Sequence, residues 1–163
     1  IYANGNGEPL DSLYGKTYQG GLIFYLNTST CEGLVASLSD QSNNAPWGCY
    51  GTSIGGTSNG LGTGQANTTA IVTGCAAAGI AARICDDYDD GAGHTDWFLP
   101  SKDELNSMYT NLKQNGFGVF ASDWYWSSSG HGDYVAWRQD FSDGVQGLDV
   151  KHYNNRVRAV RAF

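Results

Sequence analysis

Basic residues are scarce in this sequence. Nine Lys and Arg face sixteen Asp and Glu, leaving a formal charge of −7. Binding along nucleic acid asks for clustered cations across the contact surface, so this balance argues against a nucleic-acid partner. The one locally basic stretch, Arg156, Arg158 and Arg161, interleaves with Val157, Val160 and Phe163. That alternation predicts a strand whose arginines reach solvent or carboxylates.

Long apolar runs are missing too, so no membrane insertion is expected. Ile1 to Gly5 lacks the charged and apolar regions of a signal peptide. Asn4 to Pro9 reads as polar linker, which assigns residues 1–19 to a lead-in segment and 20–163 to one domain. CxxC spacing is absent from Cys31, Cys49, Cys75 and Cys85, which argues against a zinc ribbon or a dithiol redox motif. Disulfides in an extracellular setting are the better expectation. The pairing stays open: in one unbroken helix Cys75 and Cys85 would stand about 15 Å apart, too far to bridge. Either Gly79 breaks that helix or each of the two pairs elsewhere.

Catalytic and metal-binding constellations are thin. His94, His131 and His152 carry no zinc spacing. Ser127, His131 and Asp133 supply the residue types of a triad, but neighbours along one strand and turn do not reach nucleophile-to-base geometry. No enzyme activity is therefore expected. The acidic cluster Asp86 to Asp90 with Asp96 offers the oxygen ligands calcium takes, with Asp87, Asp89 and Asp90 as candidate ligands, although the spacing is not that of an EF-hand. The competing reading is a solvated acidic helix end compensated by Arg83. The cofactor expectation is none, with calcium as the alternative.

Glycine, at 23 residues, and aromatics, at 13%, are what the chain has in quantity; they suit a loop-rich fold with tight turns. Gly20 to Leu26 and Gly33 to Leu38 read as a hairpin around Asn27 to Glu32. Asp40 to Gln65 is a long structured loop, with Trp47 and Cys49 as its pins. Thr68 to Tyr88 predicts a helix in two pieces around Gly74 to Gly79. Ser101-Lys102-Asp103-Glu104 is a capping box opening a second helix whose stripe is Leu105, Met108, Tyr109 and Leu112, ending near Asn115-Gly116. Trp124 to Ser129, Val135 to Phe141 and Arg156 to Phe163 follow as strands, with Trp137 expected in the core beside Val135 and Phe141. The result is an α+β domain with helices early and a curved antiparallel sheet late.

Five separated motifs carry a resemblance: Trp97-Phe98-Leu99-Pro100-Ser101-Lys102-Asp103-Glu104-Leu105, Tyr125-Trp126-Ser127-Ser128-Ser129, Ala136-Trp137, Phe141-Ser142-Asp143-Gly144, and Val157-Arg158-Ala159-Val160-Arg161. In this order and spacing the chain resembles the C-terminal domain family of the Legionella collagen-like adhesin, a relative of the Fibrobacter major paralogous domains and, more remotely, of formylglycine-generating enzymes. The resemblance implies a C-type-lectin-like fold with two helices, in which the first strand pairs with the last. It also implies display on a cell surface or virion, binding to a cell-surface protein or glycan, assembly as a homotrimer in many members, and in several members diversification by a retroelement that randomises adenine-containing codons. The oxygen chemistry of the remote enzyme relatives uses paired cysteines near the C-terminus. No cysteine follows Cys85 here, so that chemistry is not carried across.

Randomising both adenines of an AAC or AAT codon never yields Lys, Glu, Gln, Met or Trp. Within Gly130 to Arg156 this sets aside Trp137, Gln139, Gln146 and Lys151 as fixed scaffold. It leaves His131, Asp133, Tyr134, Arg138, Asp140, Asp143, Leu148, Asp149, His152, Tyr153, Asn154, Asn155 and Arg156 as candidate ligand-contacting positions. Aromatic rings beside short polar side chains are the mixture adaptable binding loops use. A calcium-assisted glycan lectin and a structural trimerisation cap are the alternatives to a binding head of this kind.

Overall fold

The computed structural model describes residues 10–163; the first part of the expected lead-in segment, residues 1–9, lies outside the described residues. Its remainder folds against the domain. Leu10–Leu13 form a 3-10 turn, Leu13 and Tyr14 pack on the core, and β1 (Thr17–Tyr18) pairs with β2 (Gly21–Asn27).

The fold is α+β. β2 and β3 (Glu32–Ser37) form the expected hairpin. β4 (Ser42–Pro46) follows inside the region read as loop. Then come α1 (Gly64–Gly74), α2 (Ala81–Asp86) and α3 (Lys102–Asn111). β5 (Trp124–His131), β6 (Val135–Asp140), β7 (Gln146–Val150), β8 (Asn154–Val157) and β9 (Val160–Ala162) complete the chain.

These strands make two sheets rather than one curved sheet, in the orders β1-β2-β3-β9 and β4-β8-β5-β6-β7. The expected single strand from Arg156 to Phe163 is divided because the chain crosses between the sheets at Arg158 and Ala159. The C-terminal strand joins the N-terminal sheet, but it pairs with β3 and not with the first strand β2 as expected, because the β2–β3 hairpin leaves β3 as the open edge beside it. The pairs are antiparallel except β5 with β8, which run parallel at Tyr125 and Arg156.

Strand alternation divides the core in two. Ile23 of β2 points to one side, among Val35, Trp47, Ile71, Ile80, Trp97 and Trp126. Leu22 and Phe24 point to the other, where they meet Phe98, Leu105, Met108, Tyr125 and Phe141 under α3. The crossing residue Arg158 lies fully buried between the sheets. Its Nε donates to Asp40 Oδ1 at 2.7 Å, its Nη1 to the Ser37 carbonyl at 2.8 Å, and its guanidinium lies 4.2 Å from the centre of the Phe120 ring. A buried ion survives when carboxylate and carbonyls fill its donors in this way.

The capping box forms as its spacing predicts, with Ser101 as N-cap and Glu104 reaching back to the Ser101 amide. Glu104 is fully buried and does more than cap. Its Oε2 accepts from Ser101 N at 2.8 Å, while Oε1 accepts from Gly62 N at 2.8 Å and Gly64 N at 3.3 Å. One carboxylate thus starts α3 and anchors the end of the long loop. Burial pushes its carboxyl up, against the opposing pull of these amides. A Cβ on Gly64 would collide with that carboxylate and with Phe98, so only glycine fits there.

Candidate functional site

The long loop is held by four anchors, one to the end of α1 and three to the last third of the chain. Cys49 and Cys75 are bridged, with Cα atoms 5.8 Å apart, while Cys31 is free and exposed and Cys85 free and buried. Helix α1 ends at Gly74 and the chain turns at Gly79 (φ +69°) before α2, so Cys75 and Cys85 do not share a helix; Cys75 pairs with Cys49, and Cys85 pairs with no cysteine. Gly48 (φ +108°) lies against Ile80 with no space for a side chain. Gly48 N donates to the Lys151 carbonyl at 3.1 Å, and Gly51 N to the Asp133 carbonyl at 3.0 Å.

Lys151 is the fourth anchor. Its side chain is fully buried, and Nζ donates to the carbonyls of Thr52 and Gly132, both at 2.9 Å. The ammonium also lies 4.6 Å from the centre of the Trp47 ring, a cation–π contact of the desolvated kind. Burial lowers its pKa, with the charge of Asp133 acting the other way. Three chain segments, at residues 50–52, 131–134 and 151–154, are thereby fixed around one amine.

Four aromatic rings stand on the segments that this clip joins. Tyr50 meets Tyr134 at a centroid distance of 5.1 Å and His152 at 4.7 Å, and His152 meets Tyr153 at 4.7 Å, with interplanar angles of 58°, 74° and 87°. Tyr50, Tyr134 and Tyr153 are 52%, 54% and 54% exposed. Sequence reasoning placed Tyr134, His152 and Tyr153 on a common face and missed Tyr50, which is 84 residues upstream of Tyr134 by number but adjacent in space. The available signal was a large aromatic beside a pinned cysteine in an otherwise polar loop.

The other candidates divide by exposure. His131, Asp133, Asp143, Leu148 and Asn154 are exposed. Asp140 Oδ1 and Asp143 Oδ1 accept from the amides of Ser142 and Val145 and shape the β6–β7 turn. Arg138 pairs with Asp149 at 2.7 Å and stacks 3.9 Å from the centre of the Trp124 ring. Asn155, 6% exposed, accepts from Arg138 and donates to Asp149. Arg156 bonds Asp40, Asn43 and Asp123. Arg138, Asp149, Asn155 and Arg156 thus hold strands together more than they present groups to solvent.

The four residues set aside by the codon argument are tied to the scaffold. Gln139 donates to Asn106 and to the Gly144 carbonyl, and Gln146 to the Lys102 carbonyl. Trp137 is half-buried under the Lys102 ammonium, 4.5 Å from its ring centre. It is not the core residue expected, because its face of β6 looks onto the first turn of α3, while Ala136 on the opposite face joins the core.

Among the described residues no group of three or more His, Cys, Asp and Glu is arranged to hold a metal ion. Asp89 Oδ1 accepts from Gly91 N, and Asp90 from the amides of Ala92 and His94, with Asp90 Oδ2 2.5 Å from the His94 ring. Asp87 is exposed. Arg83 does not face these acids: it donates to the carbonyls of Val72, Cys75 and Ala77 and so caps the end of α1. Ser127 is buried, with Oγ donating to the Trp137 carbonyl, while His131 is exposed near Trp137. No helix of the described residues is long and apolar enough to cross a membrane.

Compared with known proteins, residues 36–161 match the family model of the Lcl C-terminal domain. No curated protein matches the chain.

Proposed function

We propose, for a chain that belongs to the Lcl C-terminal domain family and is thereby an adhesin-like surface module, that it binds a cell-surface protein or glycan through the face formed by residues 130–156 together with Tyr50. The observation that carries this reading is the row of exposed rings Tyr50, Tyr134, His152 and Tyr153 on segments joined by a buried clip. Rings held still by the scaffold give large contact area at small cost in conformational entropy. The module is non-catalytic and needs no cofactor, works outside the cell or on a virion, and shares the C-type-lectin-like plan of its relatives.

Diversification of this face by a retroelement is part of the reading. Its support is the partition of side chains. Trp137, Gln139, Gln146 and Lys151, which randomised AAC or AAT codons cannot encode, all engage scaffold groups, whereas most of the candidate variable positions, His131, Asp133, Tyr134, Asp143, Leu148, His152, Tyr153 and Asn154, are exposed, with Arg138, Asp140, Asp149, Asn155 and Arg156 as the part-buried or buried exceptions.

The test is an array of immobilised proteins and glycans, probed with the parent and with a Tyr134→Ala/Tyr153→Ala double variant, with and without calcium. Loss of every parent hit in a variant that keeps its melting temperature supports the face. Retention of those hits removes it, and hits that appear only with calcium favour the lectin alternative.

A further inference from the structure

The charge around the rings points to the ligand's chemistry. Every arginine of the chain is already engaged: Arg83 on backbone carbonyls, Arg138 on Asp149, Arg156 and Arg158 on Asp40, and Arg161 on Asp96. The Lys151 ammonium is buried on the carbonyls of Thr52 and Gly132 and on the Trp47 ring. Asp133, adjoining Tyr134, is exposed, and among the described residues its carboxylate accepts no hydrogen bond. The whole chain adds a charge of −7. An anionic ligand would therefore find no free guanidinium at the face and would meet a repelling field.

The rings discriminate further. Their planes are inclined at 58–87° to one another, so they do not add up to a flat platform for a pyranose ring. Ring faces pointing in several directions beside an exposed carboxylate that accepts no hydrogen bond suit a cation, which is drawn to aromatic faces from any side and to the carboxylate by charge, even with the buried Lys151 ammonium offsetting part of that charge.

We infer that the face receives a cationic side chain, a lysine or arginine presented by a partner protein, between the tyrosine rings and Asp133. The inference rests on the binding-face reading above and adds the chemical class of the ligand.

The probe is the peptide acetyl-Gly-Lys-Lys-Gly-amide, titrated into the full chain while ring signals are followed by NMR, with the norleucine analogue and heparin as comparators. The expected result is movement of the Tyr50, Tyr134, His152 and Tyr153 signals by the lysine peptide alone. Asp133→Asn should weaken binding at least threefold and Tyr134→Ala by about two- to fivefold, while Asp86→Asn, on the acidic cluster, changes it by less than a factor of two. Equal shifts with the norleucine peptide, movement of the same ring signals by heparin alone, or indifference to Asp133→Asn overturns the inference. If the Tyr134→Ala/Tyr153→Ala double variant loses array binding while the lysine peptide leaves the parent's rings unmoved, the face stands and its cationic ligand falls. If array binding survives the double substitution, both fall.

Discussion

Tyr50 and His152 meet edge to face with ring centroids 4.7 Å apart, although one follows the bridged Cys49 and the other follows β7. Their contact joins a segment outside residues 130–156 to the candidate face. Tyr50→Ala should therefore weaken ligand binding as much as Tyr134→Ala, with stability lowered by no more than about 1 kcal/mol because the side chain is half exposed. Parallel binding and thermal-melting curves for the two variants check this; unaltered affinity in the Tyr50 variant would confine the face to the C-terminal segment.

Opening the Cys49–Cys75 bridge should loosen the same loop. The bridge closes a separation of 26 residues, for which constraint of the unfolded chain corresponds to about 3–4 kcal/mol. A Cys49→Ser/Cys75→Ser variant should melt at a lower temperature, and amide exchange should rise first at residues 50–58. Unchanged exchange there would mean that Lys151 and the backbone bonds hold the loop unaided.

Asn155 belongs to the fold more than to the face. Asn155→Ala removes partners from Arg138 and Asp149 in a half-buried cluster, where Arg138 Nε already lacks an acceptor. Stability should fall by about 1–3 kcal/mol, seen as a lower denaturation midpoint, and any loss of binding should follow the loss of folded protein.

Alkaline pH should act through Tyr125. Burial, reinforced by the charge of Asp40, raises its hydroxyl to about 12 from an ordinary 10.0. A raised pKa means the folded state keeps the proton longer than the unfolded chain. Stability from this group is thus complete below the unfolded value and is lost as pH climbs through the folded one. Between pH 10 and 12 the parent should lose stability more steeply than Tyr125→Phe in chemical denaturation; matching slopes would refute the assignment.

Glu104→Ala should be among the most damaging single substitutions. It strips acceptors from the amides of Ser101, Gly62 and Gly64 in a buried site, and the summed cost is about 3–4 kcal/mol. Glu104→Gln, which keeps one acceptor oxygen, should recover part of this in the same melting experiment.

Local signals in the sequence were enough for the hairpin of β2 and β3, the division of the helical region at Gly74 to Gly79, and the Ser101–Glu104 capping box. Each is decided by residues close along the chain. What stayed hidden depends on distant contacts. β4 has no apolar alternation of its own and exists because β8 pairs with it. β7, with Gly147 and Asp149 inside it, exists because β6 offers a ladder. The break at Arg158 follows from Asp40, 118 residues earlier. Within the site, Tyr134 and Tyr153 stood out as aromatics among polar neighbours, whereas the arginines and Asn155 look equally polar in sequence and are separated from the exposed set only by their partners.

Lys151 also makes the molecule a reporter of its own motions. Lys16 is exposed and Lys102 and Lys113 are part-exposed, whereas the Lys151 amine is sealed beneath the loops it clips. An acylating reagent will mark the first three promptly and reach the fourth only when those loops part. The lag before the peptide carrying Lys151 gains an acyl group, followed by peptide mapping, is then a clock for opening of this face, readable before any ligand has been found.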